Sequence, residues 1–178
     1  MNISHTFPFA QYSRIVIVGN VGSGKSYMAK KIAALTGLPL IHLDKEYWQP
    51  QWGALPKEEW RQKQEALTAG ARWIMDGQYG STMELRFQAA DLVVFLDIHW
   101  LVCLISAAKR AGQKRSDLPE YLEEQRWFSR EFFDFCRESI LPYAQRGRRT
   151  VLALHAKYPD TAFLHIKSRR EANRLMRT

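Results

Sequence analysis

Cysteines, long apolar runs and export signals are all scarce in this sequence. The two cysteines, Cys103 and Cys136, lack the spacing of a CxxC motif or a metal site. We interpret both as small buried apolar residues in a reducing compartment. The best candidate for a membrane span, 91–108, is interrupted by Asp97 and is too polar to cross a bilayer. Residues 1–13 lack the pattern of a signal peptide, so we expect a cytoplasmic protein without a membrane partner.

Acidic residues are too few to balance the basic ones. The chain has 26 Lys and Arg against 18 Asp and Glu, which gives a formal charge of +8. Such an excess favours anionic partners: nucleotides, phosphorylated metabolites or nucleic acid. The basic groups at 146–149 and 167–177 are equally compatible with a solvated surface. Since the sequence has no helix-turn-helix, zinc-ligand or RNA-binding signature, direct nucleic-acid binding is a hypothesis that no motif supports.

The length of 178 residues suits a single domain, 1–178, and the order of its segments predicts the α/β class. Short apolar runs alternate with longer helical segments, a pattern typical of a parallel sheet with helices on both faces. The first run, Arg14 to Val18, is uninterrupted, as in a strand buried on both sides. Ligands of such folds bind beyond the carboxyl ends of the strands. The predicted strands are 14–18, 39–43, 72–75, 91–97 and 163–166.

A glycine-rich stretch follows the first predicted strand. Its sequence, GNVGSGKS at 19–26, matches the Walker A pattern G-x-x-x-x-G-K-[ST]. The glycines allow successive N–H groups to point at a phosphate, and the helix that follows adds its positive end. Lys25 is expected to reach the β- and γ-phosphates of ATP, and the Ser26 hydroxyl to ligate Mg²⁺. The predicted nucleotide contacts are Gly19, Val21, Gly22, Ser23, Gly24, Lys25, Ser26 and Tyr27.

Carboxylates follow three of the predicted strands. Asp44 and Asp76 are expected to project into the cleft that faces the phosphates. Asp76 would hold Mg²⁺ together with Ser26, whereas Asp44 would orient an acceptor hydroxyl or take its proton. Asp97 is compatible with either a metal ligand or a helix cap. Each of these residues could instead be a turn or capping aspartate, which is common after strands.

Cations for charge stabilisation are the third requirement of phosphoryl transfer. The sequence KRAGQKRSD begins at Lys109, and we interpret the segment 110–120 as a lid that carries Arg110 and Arg115. The alternative is a solvated helix end whose cations complement the helix dipole. Arg86, together with Gly77, is a candidate for binding an anionic group of the acceptor.

Aromatic residues are concentrated immediately after Asp44. The stretch YWQPQW at 47–52 lies in a segment, 45–70, that we interpret as acceptor-binding. Rings beside a carboxylate suit a planar or ring-shaped acceptor, and Trp48 is the candidate contact. Packing of these rings against the sheet is an equally good explanation.

Five blocks of this sequence resemble the DNA topology modulation protein family, small P-loop proteins similar to adenylate and shikimate kinases. The blocks are GNVGSGKS, PLIHLDKEYWQPQW, WIMDGQYGSTMELRF, ADLVVFLD and KRAGQKRSD, and the resemblance extends over nearly the whole chain. It implies an adenylate-kinase-like, three-layer P-loop fold with strand order 2-3-1-4-5. It also implies ATP binding by the loop, roles for Asp44 and Asp76, and a lid with Arg110 and Arg115. Two positions depart from the kinase pattern: Tyr27 replaces a common Thr, and Ser106 replaces a frequent Arg.

These features together predict an ATP-dependent phosphotransferase that acts on a small, nucleotide-like or ring-shaped acceptor. The alternative is an ATP-dependent regulator with slow turnover that contacts nucleic acid and modulates DNA topology. A GTPase is disfavoured, because no NKxD guanine-specificity motif is present.

Overall fold

The computed structural model describes residues 7–110, 116–120, 130, 134 and 136–176. Seven strands are present in this part of the chain, five in one parallel sheet and two in a small antiparallel hairpin. The α/β class and the five-stranded parallel sheet are therefore confirmed. The strands are β1 (Arg14–Gly19), β2 (Leu40–His42), β3 (Trp48–Gln49), β4 (Gly53–Ala54), β5 (Trp73–Asp76), β6 (Leu92–Leu96) and β7 (Ala162–Ile166).

The order of strands in the large sheet is β2-β5-β1-β6-β7. It differs from the stated 2-3-1-4-5 because the prediction omitted the hairpin strands β3 and β4, which shift the later numbers by two. Two-residue strands carry no detectable periodicity, so the sequence offered no signal for them. The central strand is β1, which pairs with β5 on one side and β6 on the other.

Each face of the sheet has its own apolar core, because successive side chains of a strand point to opposite sides. Ile15 and Ile17 of β1 face one core, and Val16 and Val18 face the other. All four side chains are fully buried, as the uninterrupted apolar run predicted. The result is the three-layer arrangement expected from the sequence.

Seven α-helices are described, and they cover both faces. Helices α1, α5 and α7 pack on the first core, while α4 and α6 pack on the second. Two single π-helical turns, Cys136–Ile140 and Tyr143–Gly147, precede α6. No helix in the described residues is both long and apolar enough to span a bilayer. The helices are α1 (Lys25–Thr36), α2 (Leu43–Tyr47), α3 (Lys57–Thr68), α4 (Met83–Ala89), α5 (Trp100–Arg110), α6 (Arg148–Lys157) and α7 (Arg169–Leu175).

The position of Asp44 corrects one detail of the sequence analysis. Strand β2 ends at His42, and Asp44 lies in the first turn of the short helix α2 rather than at the strand end. A carboxylate in a first helical turn is favoured by the helix dipole. The predicted lid, 110–120, falls partly outside the described residues, and Arg115 is among those not described.

Candidate functional site

The glycine-rich loop connects β1 directly to α1. Gly22 and Gly24 adopt φ values of 81° and 101°, which L side chains rarely adopt. A Cβ on Gly22 would lie 2.2 Å from the carbonyl oxygen of Cys103 on α5, so this glycine is also required for close packing. A Cβ on Gly24 would meet no atom within 4 Å, which shows that the loop opens on that side. The local backbone is therefore that of a phosphate-binding loop at a helix N-terminus.

A cavity of about 370 Å³ lies beside this loop, between α1, α5 and α7. Pockets of this size accommodate small organic ligands. The structure thus brings the loop together with Arg110, the cation predicted at the end of α5. The predicted residues that line the cavity are Gly22, Ser23, Gly24, Ser26, Tyr27 and Arg110.

Two other predicted loop residues support the loop from outside the cavity. Val21 packs against the apolar core, and its N–H donates to the Asn20 side chain. The N–H of Gly19 donates to the Gln78 side chain at 3.2 Å. These contacts are structural, and we expect them to hold the loop in shape.

Arg169, at the start of α7, lines the same cavity and was missed as a site residue. Its guanidinium donates to the carbonyl of Gly22 and to the hydroxyl of Ser106. The resemblance to small kinases led us to expect an arginine at the position of Ser106, and here a cation from α7 reaches this region. The only sequence signal was the basic cluster at 167–177, which gave no indication of which member faces the cavity.

Lys25 is a residue of the loop motif and is close enough to the two predicted carboxylates to interact with them. Its Nζ donates to the carbonyl of Asn20 at 2.9 Å. Burial lowers the pKa of Lys25, and the negative charges of Asp76 and then Asp44 oppose that shift. The lysine therefore interacts electrostatically with both carboxylates, as the sequence analysis expected of a shared cleft.

Asp76 is the last residue of β5 and is buried. Its Oδ2 lies 3.0 Å from Nδ1 of His42, the facing residue on β2. Since an ionised carboxylate only accepts hydrogen bonds, Nδ1 of His42 is the donor. The other oxygen, Oδ1, is buried and has no hydrogen-bond partner among the described residues. His42 was not predicted as a site residue, because a histidine in a strand has no distinguishing pattern.

Ser26 and Asp76 fit the requirements of Mg²⁺. Both side chains offer oxygen atoms that can ligate a cation. Oδ1 of Asp76 is buried without a hydrogen-bond partner, so a cation there would satisfy it. The described residues contain no cluster of three or more His, Cys, Asp or Glu side chains able to hold a metal. Mg²⁺ in phosphoryl-transfer sites is usually held by one or two protein groups together with substrate phosphates, so this small donor set suits it.

Asp44 accepts a hydrogen bond of 2.7 Å from the hydroxyl of Tyr79. The Tyr79 ring belongs to an aromatic cluster with Tyr47 and Trp60, with ring centroids 4.7 to 5.0 Å apart. Trp48 adds to this cluster through an edge contact of 5.0 Å with Tyr47. The aromatic segment after Asp44 therefore packs against the ring of Tyr79, whose hydroxyl binds Asp44. Tyr79 was missed as part of the site.

Arg86 does not face open space. Its side chain is fully buried and donates to the carbonyls of Gly77, Gln78 and Tyr79, at 2.8, 2.7 and 3.0 Å. Gly77 itself packs so closely that a Cβ would lie 2.8 Å from Leu43. This geometry favours a structural role for Arg86 and Gly77 over the predicted contact with an acceptor, because the terminal nitrogens of the guanidinium are already engaged.

Asp97 lies at the end of β6 and accepts hydrogen bonds from Arg148 and His165. These partners come from α6 and β7. The arrangement favours neither the metal-ligand nor the helix-cap reading, since the carboxylate is held in an ion pair with other elements.

No protein-family model matches the chain, and no curated protein matches it either. Solved structures do resemble it. Shikimate kinase from Bacteroides thetaiotaomicron has 16% identity and a TM-score of 0.53, over 93% of this chain and 94% of that chain. Shikimate kinase from Acinetobacter baumannii, in complex with shikimate, has 14% identity and a TM-score of 0.49, over 96% and 92%. Deoxyadenosine kinase from M. mycoides with bound dCTP has 14% identity and a TM-score of 0.47, over 92% and 96%.

Similarity at these identities concerns the fold alone. The similarity in fold rests on the shikimate kinase from Bacteroides thetaiotaomicron, whose TM-score is 0.53. The chain has the fold of the small P-loop kinases, and its glycine-rich loop occupies the position between strand and helix that the Walker A pattern requires.

Replacing Arg86 by Met should destabilise the protein. Arg86→Met keeps most of the side-chain length but leaves the three carbonyls of 77–79 without their donor. We expect the free energy of unfolding, measured by urea denaturation, to fall by about 3 kcal/mol. The control, Arg61→Met, removes an exposed pair with Glu65 and should change it by less than about 0.5 kcal/mol. A loss below about 1 kcal/mol in Arg86→Met would contradict the structural role.

Proposed function

We propose that this protein binds ATP with Mg²⁺ and transfers the γ-phosphoryl group to a small acceptor. The observation that carries the proposal is the convergence of three elements: a phosphate-binding loop, a partly buried lysine, and two carboxylates that interact with that lysine. A cavity large enough for part of a nucleotide adjoins the loop. Phosphoryl transfer depends mainly on positioning and charge stabilisation, which these groups are suited to provide.

The nucleotide end of the site is the loop and the cavity. Backbone N–H groups at the start of α1 would bind the β- and γ-phosphates, assisted by the helix dipole. Lys25 would exchange its bond with the Asn20 carbonyl for a charge-assisted bond to a phosphate oxygen. Arg110, which lines the cavity, would stabilise charge that develops during transfer. Arg115 is proposed for the same role from the sequence alone.

Ser26 and Asp76 would hold Mg²⁺, with His42 fixing the orientation of the Asp76 carboxylate. When bound, the ion neutralises negative charge on the phosphate oxygens. Asp76 also interacts with Lys25, so this carboxylate would link the metal and the phosphate-binding lysine.

The acceptor end of the site is centred on Asp44. Asp44 would orient the acceptor hydroxyl and take its proton, as the acceptor oxygen forms its bond to phosphorus and the bond to ADP breaks. Trp48 and the neighbouring rings would pack against an acceptor that is nucleotide-like or ring-shaped. We assign no acceptor contact to Arg86, because its side chain is buried away from open space.

The resemblance to DNA topology modulation proteins does not establish a DNA-binding surface. It suggests an ATP-dependent regulator as the alternative, but no contact among the described residues favours nucleic acid over a small acceptor. We therefore prefer the phosphotransferase. The experiment described next distinguishes a phosphotransferase from a regulator.

The test is phosphoryl transfer from ATP–Mg to a panel of nucleoside monophosphates, nucleosides and ring-shaped hydroxylated metabolites. ADP release is measured for each compound, with ATP hydrolysis alone as the baseline. Acceptor-dependent ADP release would support the proposal and identify the substrate class. ATP binding without acceptor-dependent turnover would contradict it and favour the regulator, for which salt-dependent DNA binding is the next measurement.

Lys25→Ala should abolish ATP binding while the protein stays folded. The substitution removes a phosphate contact and no apolar packing, so we expect the Kd for ATP, measured by calorimetry, to rise at least about 100-fold. The control is Lys57→Ala, which removes an exposed lysine at the start of α3 and should leave the Kd unchanged. Unchanged ATP affinity in a folded Lys25→Ala protein would refute the phosphate-loop interpretation.

Asp44→Asn should preserve ATP binding and remove phosphoryl transfer. The amide keeps the shape of the side chain but cannot take a proton. We expect acceptor-dependent ADP release to fall at least about 100-fold with a normal Kd for ATP. Asp160→Asn, an exposed aspartate in the turn before β7, is the matched control and should retain full activity. Persistent transfer in Asp44→Asn would make Asp44 a structural residue.

A further inference from the structure

Tyr79 has a backbone conformation that non-glycine residues rarely adopt. Its φ and ψ are 32° and 72°, in the left-handed region. Strained residues of this kind persist only where the surrounding structure holds them, and they cluster at functional sites. The strained residue here lies in the loop 77–79, which follows β5 and the predicted Mg²⁺ ligand Asp76.

Hydrogen bonds from Arg86 stabilise this loop. Its buried guanidinium donates to the carbonyls of all three loop residues, at 2.7 to 3.0 Å. Three converging hydrogen bonds from one planar cation limit the freedom of the loop. The conformation of Tyr79 is therefore imposed by its neighbours.

The loop 77–79 contacts both the nucleotide end and the acceptor end of the proposed site. Gln78 accepts a hydrogen bond from the N–H of Gly19, where the phosphate-binding loop begins. Tyr79 donates to Oδ1 of Asp44 at the acceptor end. The Tyr79 ring is packed against Tyr47 and Trp60, with centroids 4.7 and 4.9 Å away, so its hydroxyl has little freedom to move.

We propose that Tyr79 is a positioning residue that fixes the Asp44 carboxylate in the orientation needed to receive the acceptor's proton. The proposal rests on the proposed phosphotransferase function and adds to it a residue that acts through Asp44. A hydrogen bond to an ionised carboxylate is short and directional, so it limits rotation of the group and stabilises its charged form.

The ionisation of Tyr79 is consistent with this role. Burial, followed by the charge of Asp44 and the hydrogen bond to it, raises the pKa of Tyr79 far above its usual value. Tyr79 therefore keeps its proton and remains a donor at any physiological pH. Packing alone could explain the ring contacts, but it does not require the hydroxyl.

The first test is a titration of the Asp44 carboxyl carbon by NMR, in the wild-type protein and in Tyr79→Phe. Loss of a bond to the ionised form should raise the pKa of Asp44 by about one unit. The control, Tyr158→Phe, removes a comparable 2.8 Å bond between a tyrosine and Glu84. Lys25, and Asp76 with its partner His42, also influence this region and are unchanged in both variants. An unchanged pKa of Asp44 in folded Tyr79→Phe would overturn the proposal.

The second test uses the acceptor that the panel identifies. Tyr79→Phe should lower kcat about 10- to 100-fold, leave KM for ATP within about threefold, and move the acid limb of the kcat profile to higher pH. Tyr158→Phe should change none of these. A change in KM without a shift of the acid limb would indicate packing alone and overturn the proposal. A wild-type protein that transfers no phosphoryl group would overturn the proposed function, and the NMR titration would still decide whether Tyr79 controls Asp44.

Discussion

The parallel pairing of β1 with β5 and β6 is the constraint on which the site depends. In this register Ile17 lies opposite Asp76, and Gly19 lies opposite Leu96. The carboxyl ends of the three strands therefore meet at one edge of the sheet, where the phosphate-binding loop begins. A slip of one residue in β1 would exchange its two buried faces, and each face already has a filled apolar core. Core packing on both faces thus determines the placement of the loop.

Positive charges that are shielded from water are a second constraint on the structure of the site. Arg86 is fully buried and Lys25 is partly buried, and such shielding from water is costly without partners. Lys25 interacts with Asp76 and Asp44, whereas the terminal nitrogens of Arg86 donate to three backbone carbonyls. The first arrangement leaves a cation that can turn toward an anionic ligand. The second makes Arg86 part of the scaffold. A positive charge shielded from water therefore has a different consequence at each of these two positions.

Sequence reasoning was accurate where the information is local. The apolar run 14–18 and the motif 19–26 that follows it predicted a strand-loop-helix unit, and the structure contains it. It was less successful with Asp44, which proved to lie in a helical turn, and with Arg86, which points inward. It missed Arg169 altogether. The bond from Arg169 to Gly22 joins residues 147 positions apart, and no spacing within a single segment could indicate such a contact.

The sequence by itself determined the α/β class, the two-sided burial of β1 and the phosphate-binding loop, because these follow from apolar periodicity and from the backbone freedom of glycine. Only the tertiary structure decided which polar groups meet: Tyr79 with Asp44, and His42 with Asp76. Those contacts depend on how neighbouring strands and loops align in space. A side chain's partner is set by that alignment, whereas its tendency to lie in a strand, a turn or a helix is set largely by nearby residues.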